Sequence, residues 1–339
     1  MVEATTATPR PTVHASFDLG TDLVDLKGKV IIVTGGNKGI GFWTVKQLLQ
    51  AKAGKVYLAA RSEERANEAI KALHDEGLGK EGSGSEVVWL RFDLSDPREA
   101  KRAAEDFMKK EDRLDVLINN AGDMSSREVG KDGVSLMHII NYISPYVFTE
   151  TLLPLLKKTA EAPDSDVRIV NVASKMYNIV PSGVRYSTAQ DFNVPYTFRP
   201  FSNLHRYGNS KLAMILWSQR LQRLLQPSEA LPNGITVISL HPGGVDTFTP
   251  RVKVFQGLAK SIVSLFALTP EAGAWTSLFA AASKRVREER ERYQADGGVY
   301  LVEQPVPGTV QELGATAKDE NLAEELIRTT QTFLKDIGA

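Results

Sequence analysis

The sequence predicts an α/β fold: a single domain in which a doubly wound parallel sheet of about seven strands carries helices on both faces. Three observations support this prediction. Short apolar, β-branched runs recur along the chain, longer helix-like stretches separate them, and a glycine-rich string follows the first run. Connections that contain a helix suit crossovers between parallel strands, whereas antiparallel neighbours need only a tight turn.

The first strand is the run KVIIVT at 29–34, which is apolar enough to be buried on both faces. The later strand-like runs share this character and lie at 55–60, 86–92, 114–119, 167–174, 234–240 and 298–302. Helical patterns fill the intervals and are expected at 39–52, from Ser62, from Asp96, at 131–160, at 206–225 and from Pro270.

The alternation breaks after Ser174. Residues 176–206 show no clear period and contain three prolines and six aromatic residues. Because the strand and helix pattern then resumes, we expect an insertion in one domain over 29–339, not a domain boundary. The aromatic side chains either wall an apolar substrate pocket or form a surface flap that packs on itself.

Residues 1–28 precede the first strand and are expected to form a leader that is poorly ordered or lies on the surface. Glu3 and two prolines stand where a signal peptide has its apolar region. No stretch reaches the roughly 18 to 20 apolar residues that a spanning helix needs. The sequence therefore predicts no integral membrane segment and a cytoplasmic location.

The composition excludes several classes of function. Lys and Arg number 41 and Asp and Glu also number 41, so no excess positive charge favours nucleic acid as a partner. Cysteine is absent, which excludes disulfides, thiolate metal sites and a cysteine nucleophile. The five histidines show no metal-ligand spacing, so no metal site is expected.

The glycine-rich string runs from Thr34 to Gly41 as TGGNKGIG, between the first strand and the first helix. Glycines at such a place let the backbone turn tightly and approach a pyrophosphate, which the free N–H groups of the helix stabilise. A glycine string alone is a weak signal, but its place in the first βαβ unit predicts a Rossmann-type dinucleotide site.

The end of the second strand indicates which dinucleotide binds. NAD sites place a carboxylate there, about 20 positions past the glycines, to hold the ribose hydroxyls. This chain has Arg61 instead, 20 residues after Gly41, and Lys38 lies inside the glycine string. Two cations suit a 2′-phosphate, so NADP(H) is the predicted cofactor. The alternative is that both are solvated surface cations.

Tyr207 and Lys211 form the only Tyr-x-x-x-Lys among the nine tyrosines. Four residues apart on a helix, their side chains share a face. A phenol with an ordinary pKa near 10 needs that pKa lowered by roughly three units to act as a base near neutral pH. A lysine ammonium at about 4 Å suffices for this at an effective dielectric near 20.

With these residues the sequence resembles the short-chain dehydrogenase/reductase superfamily and, within it, the retinol-dehydrogenase-like NADP(H)-dependent reductases. Seven matches follow one another in the family's order: the glycine motif at 34–41, Asp93-Leu94, Asn119-Asn120-Ala121-Gly122, Asn141, Ser174, Tyr207 with Lys211, and Pro242-Gly243-Gly244-Val245-Asp246-Thr247. They cover residues 29–250. Beyond them the likeness is looser and depends on 269–274 and 298–300.

The resemblance implies four catalytic residues. Tyr207 would be the general acid in carbonyl reduction and the base in the reverse reaction. Lys211 would lower the pKa of Tyr207 and bind the nicotinamide ribose, and Ser174 would hydrogen-bond the substrate oxygen. Asn141 would hold a water in a proton relay to Lys211. The alternatives are that Ser174 merely caps a strand end and that Asn141 is an ordinary helix residue.

The resemblance also implies the cofactor contacts. They are assigned to Gly35, Asn37, Lys38, Gly39, Ile40, Gly41, Arg61, Ser62, Asp93, Leu94, Asn120, Ala121, Gly122, Tyr207, Lys211, Pro242, Gly243, Val245 and Thr247. Asp93 would face the adenine, Asn120 and Gly122 the adenosine ribose, and the segment from Pro242 the nicotinamide. Asn119 is expected to stabilise its strand and not to touch the ligand.

Residues 248–270 occupy the place where the family keeps a substrate lid, and the apolar stripe at 252–268 suits a lid or core packing better than a membrane surface. The resemblance also allows a homodimer through the helices that hold Asn141 and Tyr207.

We predict an NADPH-dependent carbonyl reductase, formally reversible as an alcohol dehydrogenase, for a fairly large apolar or aromatic substrate. The alternatives are reduction of an imine or a biosynthetic intermediate, and a regulator or scaffold that binds nucleotide without catalysis.

Overall fold

The computed structural model of the protein describes residues 17–244, 268–304 and 306–339. Its strands coincide with the predicted runs to within two residues at either end. They are β1 (Val30–Thr34), β2 (Lys55–Ala60), β3 (Glu86–Arg91), β4 (Val116–Asn119), β5 (Arg168–Val172), β6 (Thr236–Leu240), β7 (Val299–Val302) and β8 (Thr309–Val310).

The strands form one sheet in the order β3-β2-β1-β4-β5-β6-β7-β8. Every neighbouring pair from β3 to β7 is parallel, and β8 pairs antiparallel with β7. The predicted doubly wound parallel sheet is confirmed. The eighth strand was missed because two residues are too short for an alternating pattern.

The helices follow the strands as the crossover rule requires. They are α1 (Gly39–Gln50), α2 (Glu63–Asp75), α3 (Pro97–Met108), α4 (Leu136–His138), α5 (Ser144–Ala160), α6 (Ser202–Leu224), α7 (Pro270–Ala282), α8 (Lys284–Glu288), α9 (Arg290–Tyr293) and α10 (Glu320–Ile337). Our sequence interpretation did not include α10, although Asp319 caps its start and Gly338 ends it at a φ of 69°.

Two apolar cores lie on opposite faces of the sheet. Because side chains alternate along a strand, Ile31 and Val33 of β1 face one core while Val30 and Ile32 face the other. Helices α1, α2 and α7 cover the first face, and α3, α5, α6 and α10 cover the second.

A π-helical turn at Ile139–Ile143 joins α4 to α5, where we had predicted one helical region at 131–160. Pro145 has no N–H to donate to the carbonyl of Asn141 four residues earlier, so the regular α-helical pattern cannot continue there. Asn141 lies within this π-helical turn.

Part of the predicted leader is described. Phe17 and Leu26 are buried, and the Phe17 ring meets Phe279 of α7 edge to face with 5.2 Å between centroids. Residues 17–28 therefore lie against the outer helices. The predicted lid falls almost wholly outside the described residues. None of the helices in the described ranges is long and apolar enough to cross a membrane.

Candidate active site

The predicted site residues follow the carboxyl ends of neighbouring strands. The glycine string follows β1, Asn120 follows β4, Ser174 follows β5 and Pro242 follows β6. The strand order reverses between β1 and β4, and open α/β sheets bind ligands at the carboxyl ends beside such a reversal. The topology thus brings these four segments to one edge of the sheet.

The glycine string forms a tight cradle. Gly35 has a φ of 67° and donates its N–H to the carbonyl of Ala59 at 2.8 Å. A Cβ at Gly41 would overlap the carbonyl oxygen of Gly35 and lie 2.5 Å from Nδ2 of Asn120. Nδ2 of Asn120 also donates a hydrogen bond to the carbonyl of Thr34 at 2.8 Å. The side chain of Asn120 therefore connects the end of β4 to the cradle.

Lys38 stands at the cap position of α1. Its ammonium group has no acceptor atom, so its side chain does not cap the first turn of the helix. Helix N-termini of this kind bind anions through their backbone N–H groups. A close glycine turn beside an uncapped helix start fits the pyrophosphate of a dinucleotide.

Gly41→Ala is expected to weaken NADPH binding by about tenfold or more, because the added methyl group must push apart the cradle and Asn120. Titration of nucleotide fluorescence measures the Kd. Gly314→Ala is the matched control, since Gly314 has a φ of −66° and its Cβ would lie 3.6 Å from the nearest atom. A folded Gly41→Ala protein that binds NADPH as well as the control would contradict the cradle.

The end of β2 carries no carboxylate, as the sequence indicates. Arg61 is exposed, and within the described part of the chain it makes no hydrogen bond or ion pair. Ser62 caps α2 by accepting the N–H of Arg65 at 3.4 Å. Farther along the same edge, Asp93 accepts the N–H of Ser95 at 2.9 Å. The one charge at the end of β2 is therefore positive and exposed.

Tyr207 and Lys211 lie on α6 and face the end of β5. The Ser174 side chain interacts with the phenol of Tyr207 and lowers its pKa. Nζ of Lys211 donates to the carbonyl of Val172 at 2.7 Å and lies 5.7 Å from the centre of the Tyr207 ring. The structure thus brings together the three side chains that the resemblance named as acid, lysine and substrate donor.

Burial is the main influence on the protonation of this group. It raises the pKa of Tyr207 to about 12, and the interaction with Ser174 offsets only part of that. Burial lowers the pKa of Lys211 to about 7. The phenol of Tyr207 is therefore protonated near neutral pH. That Lys211 lowers the pKa of the phenol stays a prediction.

Asn141 lies in the π-helical turn and holds the loop after β4. Its Oδ1 accepts the N–H of Asp123 at 2.7 Å, and its Nδ2 donates to the carbonyl of Asp123 at 2.7 Å and to Oγ of Ser210 at 2.9 Å. Both amide protons are therefore used, and only oxygen atoms of Asn141 remain to hold a water. A Cβ at Gly122 would lie 3.3 Å from Oδ1 of Asn141 and 3.4 Å from Nζ of Lys211.

A buried polar chain that we did not predict supports β4 and β5 beneath the site. Nδ2 of Asn119 donates to Oγ1 of Thr149 at 3.0 Å and to Oδ1 of Asn171 at 2.8 Å. Nδ2 of Asn171 donates in turn to Oγ of Ser218 on α6 at 2.8 Å. The position of Asn119 suited such a role, whereas nothing in the sequence singled out Asn171.

Pro242 and Gly243 are buried at the end of β6, and Gly243 has a φ of 92°. A Cβ on Gly243 would overlap Leu268 and lie 3.1 Å from Cγ of Glu303, so only glycine fits. Val245 and Thr247 lie outside the described residues.

The aromatic residues of the insertion do not form one wall. Tyr186 and Phe192 belong to the main core, with 5.9 Å between their ring centroids. Phe198 and Phe201 are exposed. The ring of Tyr177 meets that of Tyr300, with 5.6 Å between their centroids.

The family model described as short chain dehydrogenase matches residues 29–197. A short-chain dehydrogenase/reductase of Armillaria gallica is 43% identical over 321 residues, which cover 92% of this chain and 95% of that protein. An uncharacterized oxidoreductase of Schizosaccharomyces pombe is 39% identical over 93% of this chain and 88% of its own.

Two solved structures are also similar. The Pseudomonas aeruginosa RhlG/NADP active-site complex is 25% identical, with a TM-score of 0.56 over 76% of this chain and 91% of that one. The NADPH-bound carbonyl reductase from chicken fatty liver is 23% identical, with a TM-score of 0.58 over 89% of this chain and 100% of that one. The second likeness shows the fold alone.

Proposed function

Because the chain belongs to the short-chain dehydrogenase/reductase superfamily and is an oxidoreductase of carbonyl and alcohol groups that uses a nicotinamide cofactor, we propose that it is an NADPH-dependent carbonyl reductase for a fairly large apolar or aromatic ketone or aldehyde. The observation that carries the proposal is the meeting of Tyr207, Lys211 and Ser174 at the edge of the sheet that also holds the glycine cradle.

The cradle and the end of β2 would hold the nucleotide. Gly35, Gly39 and Gly41 leave room for the pyrophosphate at the start of α1, and Arg61 would meet the 2′-phosphate. When bound, the nicotinamide supplies the hydride. The RhlG complex, at 25% identity, holds NADP, which supports the choice of the phosphorylated nucleotide.

The chain itself supplies the proton. Tyr207 would donate its phenolic proton to the carbonyl oxygen as that oxygen gains negative charge. The Ser174 hydroxyl would donate a hydrogen bond to the same oxygen and stabilise the charge before the proton arrives. Lys211, whose lowered pKa of about 7 allows it to gain and lose a proton near neutrality, would reprotonate the phenolate through a water held by Asn141. The product is the alcohol.

The raised pKa of Tyr207 sets the expected pH dependence. Reduction needs the phenol protonated, so between about pH 6 and 9 its kcat/KM should not fall through loss of this proton, because the pKa of about 12 lies above that range. Oxidation of the alcohol needs the phenolate, so its kcat/KM should rise up to tenfold for each pH unit. Initial rates in both directions with one ketone and its alcohol measure this. An oxidation rate that is level across the range would contradict the assignment of Tyr207.

A further inference from the structure

Three polar side chains follow the ends of three neighbouring strands on the side of the site away from the glycine cradle. Lys175 comes just after β5, His241 directly after β6 and Glu303 directly after β7. The strand ends are in register, since Val172 pairs with Leu240 and Leu240 with Leu301. With Tyr300 of β7 these side chains form what we call the strand-end cluster (Lys175, His241, Tyr300, Glu303).

The cluster is well buried for a group of this polarity. Nζ of Lys175 lies 3.5 Å from Oε2 of Glu303, whose side chain is only 11% exposed. Tyr300 is 1% exposed. Taking a carboxylate and a phenol out of water is unfavourable unless their polar atoms find partners.

Three polar atoms of the cluster lack such partners. Nδ1 of His241, Oη of Tyr300 and Oε2 of Glu303 are buried, and none has a hydrogen-bond partner among the residues that the structure describes. Most buried polar atoms in folded proteins are hydrogen-bonded, so three adjacent exceptions at the ligand-binding edge of a sheet indicate a ligand group.

The cluster adjoins the reacting groups. Lys175 is the residue after Ser174, and the ring of Tyr300 packs on that of Tyr177 in the same segment, with 5.6 Å between their centroids. A molecule whose carbonyl meets Tyr207 and Ser174 therefore has the strand-end cluster within its reach.

The charge of the cluster restricts what it can bind. Burial lowers the pKa of His241 to about 4, so its ring is neutral near pH 7. The positive charge of Lys175 is balanced by Glu303 at 3.5 Å. A carboxylate accepts hydrogen bonds, whereas a phenol can donate one. A neutral ligand group that both donates and accepts a hydrogen bond therefore suits this cluster, and a hydroxyl is such a group. A carboxylate ligand would be repelled by Glu303.

We propose that the strand-end cluster binds a second hydroxyl group of the substrate, remote from the carbonyl, and so selects hydroxylated ketones and aldehydes. This inference depends on the proposed function for its reaction. Glu303 accepts a hydrogen bond from the hydroxyl, while Tyr300 or Lys175 donates one to the hydroxyl oxygen. An ether at the same position has no O–H to donate and leaves Oε2 of Glu303 with only its ion pair to Lys175.

The test compares five aromatic ketones: acetophenone, its meta- and para-hydroxy derivatives, and the methyl ethers of those two. For the unaltered protein with NADPH, at least one hydroxy ketone should exceed its methyl ether in kcat/KM by about 10- to 100-fold, as for a hydrogen bond to a charged group. Glu303→Leu should remove most of that preference, and Glu303→Gln, whose side-chain oxygen can still accept a hydrogen bond, should restore part of it.

Glu312→Leu is the matched control, because Glu312 also pairs with a lysine, Lys318 at 2.8 Å, but is exposed. It should keep the preference of the unaltered protein. Equal rates for hydroxy ketones and ethers, or a Glu303→Leu protein that loses activity on all the ketones in proportion, would overturn the inference.

Equilibrium binding separates this inference from the proposed function. Calorimetric titration of the same ketones into the protein with NADP⁺ should show the hydroxyl preference whether or not turnover occurs. If the protein shows a binding preference that Glu303→Leu abolishes but turns over no ketone, the proposed role of the strand-end cluster is supported and the reductase activity is contradicted. If it turns over the ketones without any preference, the reductase activity is supported and the role of the cluster is contradicted.

Discussion

Tyr207→Phe is expected to lower kcat for carbonyl reduction by about 10²- to 10⁴-fold, which is the range for removing a general acid. The ring remains, so packing at the site is kept and only the proton donor and its interaction with Ser174 are lost. The Kd for NADPH should change little. Stopped-flow reduction of a ketone and fluorescence titration of NADPH measure the two quantities.

Tyr146→Phe is the control for the loss of a buried phenolic oxygen. Its Oη accepts a hydrogen bond from Gln331 of α10 at 3.3 Å, and the activity of this variant should resemble that of the unaltered protein. If Tyr207→Phe instead weakened NADPH binding and left kcat with saturating nucleotide unchanged, Tyr207 would be a cofactor residue and not the acid.

Arg61→Asp is expected to weaken NADPH binding by about 10- to 100-fold, because a charge-assisted hydrogen bond to the 2′-phosphate is lost and a repulsion replaces it. NADH carries no phosphate at that position, and an aspartate there can accept hydrogen bonds from its ribose hydroxyls. The Kd for NADH should therefore stay level or fall. Fluorescence titrations with both nucleotides give the ratio.

Arg328→Asp makes the same change of charge on the exposed face of α10, away from the end of β2, and should leave both Kd values unchanged. Combining Arg61→Asp with Lys38→Ala should increase the loss for NADPH. An equal weakening of NADPH and NADH by Arg61→Asp would contradict contact with the phosphate and leave only a general electrostatic effect.

The parallel sheet could be predicted because each strand is a short apolar run and each crossover holds a helix. The bounds of β2 were predicted without error, since the run KVYLAA is bounded by glycine on one side and Arg61 on the other. Helix α10 was missed although its cap residues are ordinary, because it follows an irregular region. The two-residue strand β8 leaves no periodic signal.

That Ser174, Tyr207 and Lys211 meet at one edge of the sheet was predictable, but their surroundings were not. The sequence shows that a lysine shares a helix face with the tyrosine, and it does not show how much of each side chain the fold covers. Burial raises the pKa of Tyr207 and lowers that of Lys211. Likewise, Glu303 has no motif around it, and only the register of β5, β6 and β7 places it beside Lys175.

The most direct test of the account is turnover of a panel of aldehydes, ketones and alcohols, followed by nicotinamide absorbance with NADPH and with NADH. We expect aldehyde- or ketone-dependent oxidation of NADPH that is faster than that of NADH and that is lost in Tyr207→Phe. A protein that binds NADPH but turns over no member of the panel, or one whose Tyr207→Phe variant turns over as fast, would contradict it.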